Sequence, residues 1–367
     1  MGKKKVLVGM SGGVDSAAAA ALLGEAGYEA VGCTLRLYDN RDIGGDREGG
    51  CCSLEDVEDA RSTARRLGMD FYVFNFSDLF RRQVMDDFVA GYQAGRTPNP
   101  CIQCNRRVKF DALLRRADEL EIDYIATGHY ARVAYHRELD RWQLLRGRDR
   151  AKDQSYVLYP LSQETLSRLL LPVGEYDKAA VRALAREREL CSAHKPDSQD
   201  ICFVPDGDYP AFLRRYGGVE LTAGDFVDTR GRVLGRHRGL PCYTTGQRRG
   251  LGVSADRPLY VLRKDGPSNT VVLGDEELLY SETVWAEEFN WVSLPPQAEP
   301  LAVTAKTRYS QSEAAAVLYP EDGGRVRAVF MRPQRAVTAG QSLVCYKGEA
   351  VVGGGVICRA ERRHIPG

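Results

Sequence analysis

The chain has 367 residues, 43% of them hydrophobic and 28% charged, so it is too long for a single core and too apolar for a disordered protein. Its 51 basic and 50 acidic residues nearly cancel, so a basic surface for nucleic acid must be sought locally. Because no apolar stretch is long enough for a signal peptide or a membrane span, we expect a cytoplasmic protein with no membrane partner. In that compartment we expect its ten cysteines to serve packing, metal or redox roles.

Short apolar runs recur through the first two hundred residues. Residues 6–8, 30–37, 71–76 and 124–127 are each continuously apolar, which is typical of strands buried on both faces. Amphipathic stretches separate these runs. Alternation of strands and helices in this order predicts an α/β fold with a mostly parallel, doubly wound sheet.

Three helical stripes lie among these strands. The first helix is expected to have Ser53 as its cap and to end at Gly68. Its apolar stripe is formed by Leu54, Val57, Ala60, Ala64 and Leu67. The other two stripes comprise Phe110, Leu113, Leu114, Ala117 and Leu120, and then Val181, Leu184 and Ala185. Their spacing is that of one helix face packed on a sheet.

The pattern changes after about residue 205. Residues 206–280 are rich in glycine, arginine and turn signals, which favours a small mixed or β-rich module. From residue 281 onward, short alternating segments such as 301–307, 325–330 and 341–346 are separated by turns, which predicts an antiparallel barrel or sandwich. We therefore expect three domains, at residues 1–205, 206–280 and 281–367.

A glycine-rich loop follows the first predicted strand and precedes a helix. It consists of Gly9, Met10, Ser11, Gly12, Gly13, Val14, Asp15 and Ser16. Glycines let backbone N–H groups converge on phosphate oxygens, and the helix that follows presents its positive end to them. Asp15 would repel a phosphate unless a cation intervened, so the loop implies Mg²⁺. It lacks the Walker ending and resembles the SGGxDS loop of ATPases that adenylate a substrate and release pyrophosphate. A glycine turn without a ligand is the alternative.

The cysteines could carry the second half of a reaction. Cys101 and Cys104 form a Cys-x-x-Cys pair at the expected start of a helix, followed by three basic residues, a setting that favours a reactive thiolate. Half of a zinc site is the alternative, but no second close Cys or His pair completes it. Cys202 is the candidate partner. Sequence alone does not place it near Cys104, and an ordinary buried cysteine is the alternative reading.

Seven motifs occur in the order seen in tRNA-specific 2-thiouridylases, and the chain resembles that family over essentially its whole length. They are residues 9–16, 97–110, 126–130, 152–156, 198–203, 245–251 and 307–309. The resemblance implies a doubly wound adenine-nucleotide-hydrolase-like N-terminal domain for ATP binding, adenylation and thiolation. It also implies a small central tRNA-binding module and a C-terminal β-barrel.

The resemblance implies an ATP-dependent sulfurtransferase. Such an enzyme adenylates the 2-oxygen of the wobble uridine in tRNAs for Lys, Glu and Gln, and a cysteine persulfide then delivers sulfur to give 2-thiouridine, AMP and pyrophosphate. Cys104 matches the catalytic nucleophile and Cys202 the persulfide carrier, and the two end as a disulfide. The persulfide donor would be a cysteine desulfurase or a sulfur-relay protein.

The same resemblance implies binding roles for further residues. The loop of residues 9–16 would hold ATP, with Leu35 and Gly128 near its adenine and ribose. The segment that touches the target base would be Asn99, Pro100 and Cys101. Other positions that match tRNA contacts are His129, Lys152, Asp153, Gln154, Arg308, Tyr309 and Gln341. Residues 230–249 contain six arginines and no acids, so we expect a phosphate-contacting surface there rather than a merely solvated basic face.

One departure from the family pattern leaves alternatives open. Many members carry Asp where this chain has Cys101. The Cys101 thiol is either an inert variant or a backup disulfide partner for Cys104. With Cys104 and Cys202 it could instead hold a [4Fe–4S] cluster that has one open iron. A rival enzyme is an amide ligase that shares the loop and needs neither catalytic cysteine. A non-enzymatic RNA-binding regulator with a degenerate nucleotide site is the last alternative, and the intact loop argues against it.

Overall fold

The computed structural model describes residues 2–39, 54–191, 195, 201–204 and 206–362. Its first part contains a parallel sheet with strand order β3-β2-β1-β4-β7 and a separate hairpin, β5–β6. The strands are β1 (Lys5–Gly9), β2 (Glu29–Arg36), β3 (Phe71–Asn75), β4 (Tyr124–Thr127), β5 (Ala131–His136), β6 (Arg141–Arg146) and β7 (Leu169–Leu170).

Helices connect these strands and cover the sheet. They are α1 (Val14–Glu25), α2 (Leu54–Arg66), α3 (Ser77–Phe80), α4 (Asp86–Gln93), α5 (Pro100–Cys104), α6 (Asp111–Glu119), α7 (Gln163–Ser167) and α8 (Lys178–Glu187). Two π-helical turns, Arg81–Met85 and Asn105–Phe110, join α3 to α4 and α5 to α6. None of the helices in the described ranges is both long and apolar enough to cross a membrane.

The sheet is buried on both faces because successive side chains of β1 point in opposite directions. Val6 and Val8 pack with apolar residues of α1 and α2, whereas Leu7 packs with α6 on the other face. All strand pairs in this sheet are parallel. The predicted doubly wound α/β fold is therefore confirmed.

Two details of that prediction are wrong. The apolar run at 71–76 predicts a strand buried on both faces, but β3 is an edge strand whose Tyr72 and Val73 are exposed. The helical spacing assigns Leu54 to the buried stripe of α2, but its side chain is 87% exposed at the start of that helix. The predicted cap, Ser53, lies outside the described residues. Gly68, with a φ of 67°, follows the end of α2 as predicted.

The central module is a small mixed sheet, as predicted. Helix α9 (Tyr209–Arg215) precedes it. Its strand order is β10-β11-β8-β9, in which β8 and β11 are parallel and the other pairs antiparallel. The strands are β8 (Gly224–Val227), β9 (Val233–His237), β10 (Tyr260–Asp265) and β11 (Thr270–Gly274).

The last part is a closed antiparallel barrel. Its strands are β12 (Tyr280–Asn290), β13 (Leu301–Lys306), β14 (Ala314–Glu321), β15 (Arg325–Arg335), β16 (Ser342–Lys347) and β17 (Ala350–Arg362). The order is β12-β15-β14-β13-β16-β17, and β17 pairs back with β12. This confirms the barrel. An unpredicted feature is that the hairpin β5–β6 joins this sheet through a pairing of Leu145 with Ala350.

Candidate functional site

The glycine-rich loop lies between β1 and α1, at the carboxyl edge of the parallel sheet. The Ser11 N–H donates to Ser16 Oγ at 3.2 Å, and that hydroxyl donates to the Gly13 carbonyl at 3.0 Å. Gly12 has a φ of 74°, and a Cβ there would lie 2.5 Å from the Asp56 carbonyl oxygen of α2. Because no side chain caps the first turn of α1, its N–H groups suit an anion.

The Asp15 carboxylate at the start of α1 is held by two side chains. Lys178 Nζ, from the first residue of α8, lies 2.7 and 2.8 Å from its two oxygens. The Tyr130 hydroxyl donates to Oδ1 at 2.7 Å. The charge that implied Mg²⁺ in the sequence is therefore offset by Lys178 in the structure. Neither contact was predicted, because no local pattern in the sequence connects Lys178 or Tyr130 to the loop.

Leu35 lies in β2 of the parallel sheet, and Gly128 directly follows β4 of the same sheet. A Cβ on Gly128, just after β4, would lie 2.6 Å from the Asp15 carbonyl carbon and from the Ser16 nitrogen. Only glycine allows this approach to the first turn of α1. Leu35 pairs with Phe74 across β2 and β3 and is partly buried. It contacts the main cluster of the sheet as well as the cluster that holds Cys104.

The structure brings Cys104 and Cys202 into one hydrophobic cluster. Cys104, at the end of α5, is 7% exposed, and the partly buried Cys202 packs against the same cluster. Other members of this cluster include Phe80, Phe88, Val108, Phe203 and Phe212. The Tyr38 hydroxyl, just after β2, donates to the Cys202 carbonyl oxygen at 2.8 Å. Cys202 is thereby attached to the carboxyl edge of the sheet, where the glycine-rich loop also lies.

Cys101 lies in a different environment from Cys104. It is exposed, and its N–H donates to the capping Asn99 Oδ1 at 3.2 Å, while Pro100 occupies the first turn of α5. Cys101 lies near the barrel residue Tyr309. Burial raises the pKa of Tyr309, Asp153 raises it further, Lys152 lowers it, and Cys101 adds a smaller upward shift. Within the described ranges, no three Cys, His, Asp or Glu side chains are grouped so as to hold a metal ion. Cys101, Cys104 and Cys202 are among the described residues and do not form such a group.

The loop containing Lys152, Asp153 and Gln154 lies against Tyr130. The Tyr130 N–H donates to Gln154 Oε1 at 2.9 Å, and the Gln154 N–H donates to the Tyr130 carbonyl at 2.8 Å. The Tyr309 hydroxyl of the barrel donates to the Asp153 carbonyl oxygen at 3.4 Å. Residues from distant parts of the chain, predicted to contact tRNA, are thus brought together beside the residue that holds Asp15.

Known protein families match each of the three parts of the chain. Residues 4–206 match the family described as tRNA methyl transferase HUP domain, residues 210–275 the tRNA methyl transferase PRC-barrel domain, and residues 281–357 the aminomethyltransferase beta-barrel domain. The tRNA-specific 2-thiouridylase MnmA of Acetivibrio thermocellus is 52% identical over 358 residues, which are 97% of this chain and 100% of that protein. The chain belongs to the tRNA-specific 2-thiouridylase family.

Two further relatives carry the same name. The MnmA proteins of Moorella thermoacetica and Carboxydothermus hydrogenoformans are 52% and 50% identical. The matches cover 96% and 97% of this chain, and 98% of each relative. The resemblance expected from the seven motifs is therefore confirmed over nearly the full length.

In this family member His129 is an uncharged side chain. Its Nδ1 is hydrogen-bonded to Thr127 Oγ1 at 2.7 Å, and its ring lies 5.7 Å from that of Phe110. Burial lowers the pKa of His129 to about 3, and the nearby Lys109 contributes to the same shift. A neutral imidazole can stack or share a hydrogen bond with a nucleotide, but it does not offer a positive charge to a phosphate.

Arg308 and Gln341 join the barrel to the other domains. Arg308 Nη2 donates to the Ala336 carbonyl, to Thr338 Oγ1 at 3.1 Å and to the Thr245 carbonyl of the central module at 3.4 Å. Burial lowers the pKa of Arg308. Gln341 Nε2 donates to the Thr97 carbonyl of the N-terminal domain at 2.8 Å. Contact of these two residues with tRNA stays a prediction.

The arginines of residues 230–249 differ in their surroundings. Arg232 pairs with Asp228 at 2.6 Å and Arg236 with Asp225 at 3.1 Å, so part of the expected basic surface is neutralised. Arg238 lines a cavity of about 760 Å³ between α9 and the central module, and Arg248 lines one of about 480 Å³. Across the described part of the chain, neither of these last two guanidinium groups has an ion pair with a carboxylate.

Proposed function

We propose that this chain is a tRNA-uridine 2-sulfurtransferase. It would adenylate the wobble uridine of tRNAs for Lys, Glu and Gln and replace the 2-oxygen with sulfur from a persulfide. Relatives that are about half identical over nearly their full length carry the name tRNA-specific 2-thiouridylase. The observation that carries the mechanism is that Cys104 and Cys202 share one cluster at the sheet edge where the phosphate loop lies.

The first step is adenylation. The loop of residues 9–16 would bind the triphosphate of ATP, using the uncapped first-turn N–H groups of α1. The target uridine must leave the anticodon stack, as it does in other base-modifying enzymes, and would lie against Asn99, Pro100 and Cys101. Its 2-oxygen attacks the α-phosphorus, and pyrophosphate leaves with the bonding electron pair. The C2 carbon then carries AMP as a leaving group.

The second step transfers sulfur. With a persulfide on Cys202, the terminal sulfur attacks C2, and AMP departs with the original oxygen. The Cys104 thiolate then attacks Cys202 Sγ, and the sulfur–sulfur bond breaks so that its electron pair stays on the sulfur bound to C2. The products are 2-thiouridine and a Cys104–Cys202 disulfide, which an external thiol must reduce. The apolar surroundings of both cysteines keep competing water away from the activated carbon.

Mg²⁺ is expected to enter with ATP. When bound, it would neutralise charge on the polyphosphate. Asp15, in the first turn of α1, is the carboxylate that the loop itself provides, and Lys178 contacts it. Because no group of three acidic or other donor side chains is found among the described residues, the phosphate oxygens and water would supply most of the ligands.

The test is turnover of unmodified tRNA with ATP and a persulfide source, using protein purified without oxygen and assayed for iron and sulfide. Cys104→Ser and Cys202→Ser should each abolish 2-thiouridine formation, because each removes one bond-forming sulfur. Both variants should keep tRNA-dependent exchange of pyrophosphate into ATP, because adenylation needs neither thiol. Cys101→Ser and the exposed control Cys358→Ser should retain activity.

Two results would contradict the proposal. Activity that follows iron content and is lost in Cys101→Ser would indicate a [4Fe–4S] mechanism with the same product. AMP formation on a substrate other than tRNA, unaffected when Cys104 and Cys202 are both replaced by Ser, would indicate an amide ligase that shares the loop.

A further inference from the structure

Lys178 lies far from every motif that identified the family, yet it contacts the phosphate loop. We infer that Lys178 is a positioning residue for ATP: it holds the Asp15 carboxylate and cancels its charge, so that the loop accepts a polyphosphate. The inference rests on the proposed use of ATP by this loop. It adds a residue from α8 to a site for which the sequence analysis predicted only residues 9–16, Leu35 and Gly128.

The geometry of the contact is specific. Lys178 Nζ reaches both oxygens of Asp15, at 2.7 and 2.8 Å, and the Tyr130 hydroxyl shares Oδ1 with it. The Lys178 side chain is 13% exposed and that of Asp15 is 31% exposed, so the pair is only partly screened by solvent. The ammonium also lies 5.7 Å from the centre of the Tyr130 ring.

Electrostatics explains why the loop requires this lysine. The positive end of α1 favours an anion, but Asp15 in its first turn supplies an anion of its own. An uncompensated carboxylate would therefore compete with the phosphate groups and repel them. Paired with Lys178, the carboxylate contributes almost no net charge. The N–H groups at the start of α1 then remain available to the ligand.

Both partners of Asp15 are anchored to one loop. Asp149 accepts the Lys178 N–H at 3.0 Å through Oδ2, and the Lys152 N–H at 3.3 Å through Oδ1. Tyr130 is held by hydrogen bonds to Gln154 in the same loop. The loop at 149–154, in which tRNA contacts are predicted, and the phosphate loop therefore share one hydrogen-bonded scaffold. Lys178 fixes their relative position.

The test is a double-mutant cycle read by direct binding of ATP, with and without Mg²⁺ and in the absence of tRNA. Lys178→Met should weaken ATP binding by about tenfold, the size expected for a partly buried charge left uncompensated. In an Asp15→Asn background the same change should cost less than about threefold, because the charge that Lys178 cancels is gone. Lys178→Arg should bind within about threefold of wild type. Lys347→Met, at an exposed position of the barrel, is the matched control.

Each outcome decides the inference. Equal losses from Lys178→Met in the two backgrounds would overturn it, since Lys178 would then act on ATP or on folding independently of Asp15. Loss of binding in Lys178→Arg equal to that in Lys178→Met would also overturn it. Wild-type protein that binds no ATP would overturn the proposed function as well, which distinguishes the two failures.

Discussion

Replacing Gly128 by alanine should disable the phosphate loop while leaving the fold intact. The new Cβ would lie 2.6 Å from the Asp15 carbonyl carbon and the Ser16 nitrogen, so the first turn of α1 must retreat by roughly 0.8 Å to restore an ordinary contact of 3.4 Å. A displacement of that size at a reacting group costs about 10²-fold in rate, and overpacking costs about 1–3 kcal/mol of stability. We expect ATP binding and 2-thiouridine formation to fall together.

The assay for Gly128→Ala combines ATP binding, turnover on tRNA and thermal unfolding. Gly24→Ala is the matched control, because Gly24 lies in α1 itself and a Cβ there would meet no neighbouring part of the chain within 4 Å. That control should gain about 0.5–1 kcal/mol from helix propensity and keep its activity. Wild-type ATP affinity in Gly128→Ala would refute the argument that close approach at this glycine positions the loop.

Three further predictions concern the joints between domains and the basic surface. Lys264, in β10 of the central module, has its Nζ 5.7 Å from the centre of the Tyr92 ring of the N-terminal domain. Burial lowers the pKa of Lys264 to about 8, so its charged form destabilises the fold below pH 8, and this penalty fades as the pH rises toward 10.5. Lys264→Met should therefore raise the free energy of unfolding by up to ~3 kcal/mol at pH 7 and by much less at pH 10. Denaturant titrations at the two pH values measure this difference, and an equal increase in the free energy of unfolding at both would contradict the prediction. Arg238→Ala should reduce the salt dependence of tRNA binding by about one in log–log slope, and Arg236→Ala by less, because Asp225 pairs with Arg236. Gln341→Ala should lower kcat without weakening tRNA binding, because its amide holds the Thr97 carbonyl; a rise in KM for tRNA alone would show direct contact instead.

Local patterns in the sequence are sufficient to predict most of the strands and helices of the fold. Continuous apolar runs predict buried parallel strands, and turn signals between alternating segments predict the barrel. Apolarity does not say which strand lies at the edge, and for this reason the prediction for Tyr72 and Val73 failed. The pairing of Leu145 with Ala350 could not be predicted either, because these residues are far apart in the sequence and no local motif links the two segments.

The candidate site could be predicted only where its functional residues are contiguous in the sequence. The phosphate loop is one segment of glycines and hydroxyls, so its spacing alone indicates a nucleotide. Cys104 and Cys202 belong to one cluster because of the way α5 and the segment after residue 200 pack on the sheet. The spacing of the two cysteines in the sequence does not predict that packing. Lys178 had no signal at all, because a lysine at the start of an amphipathic helix is an ordinary surface residue until the fold directs it to Asp15.

Several positions that match tRNA contacts are also joints of the structure. Tyr309 of the barrel donates to the Asp153 carbonyl, and Gln341 of the barrel donates to the Thr97 carbonyl. In the proposed reaction the uridine must meet ATP at the phosphate loop and then two cysteines, at distances set to within about 1 Å, because larger errors cost orders of magnitude in rate. Loops that are predicted to contact RNA and that also bond to each other across domains can hold those distances before the substrate arrives. The proposed dual use of these residues would follow from building one reaction site on three separate cores.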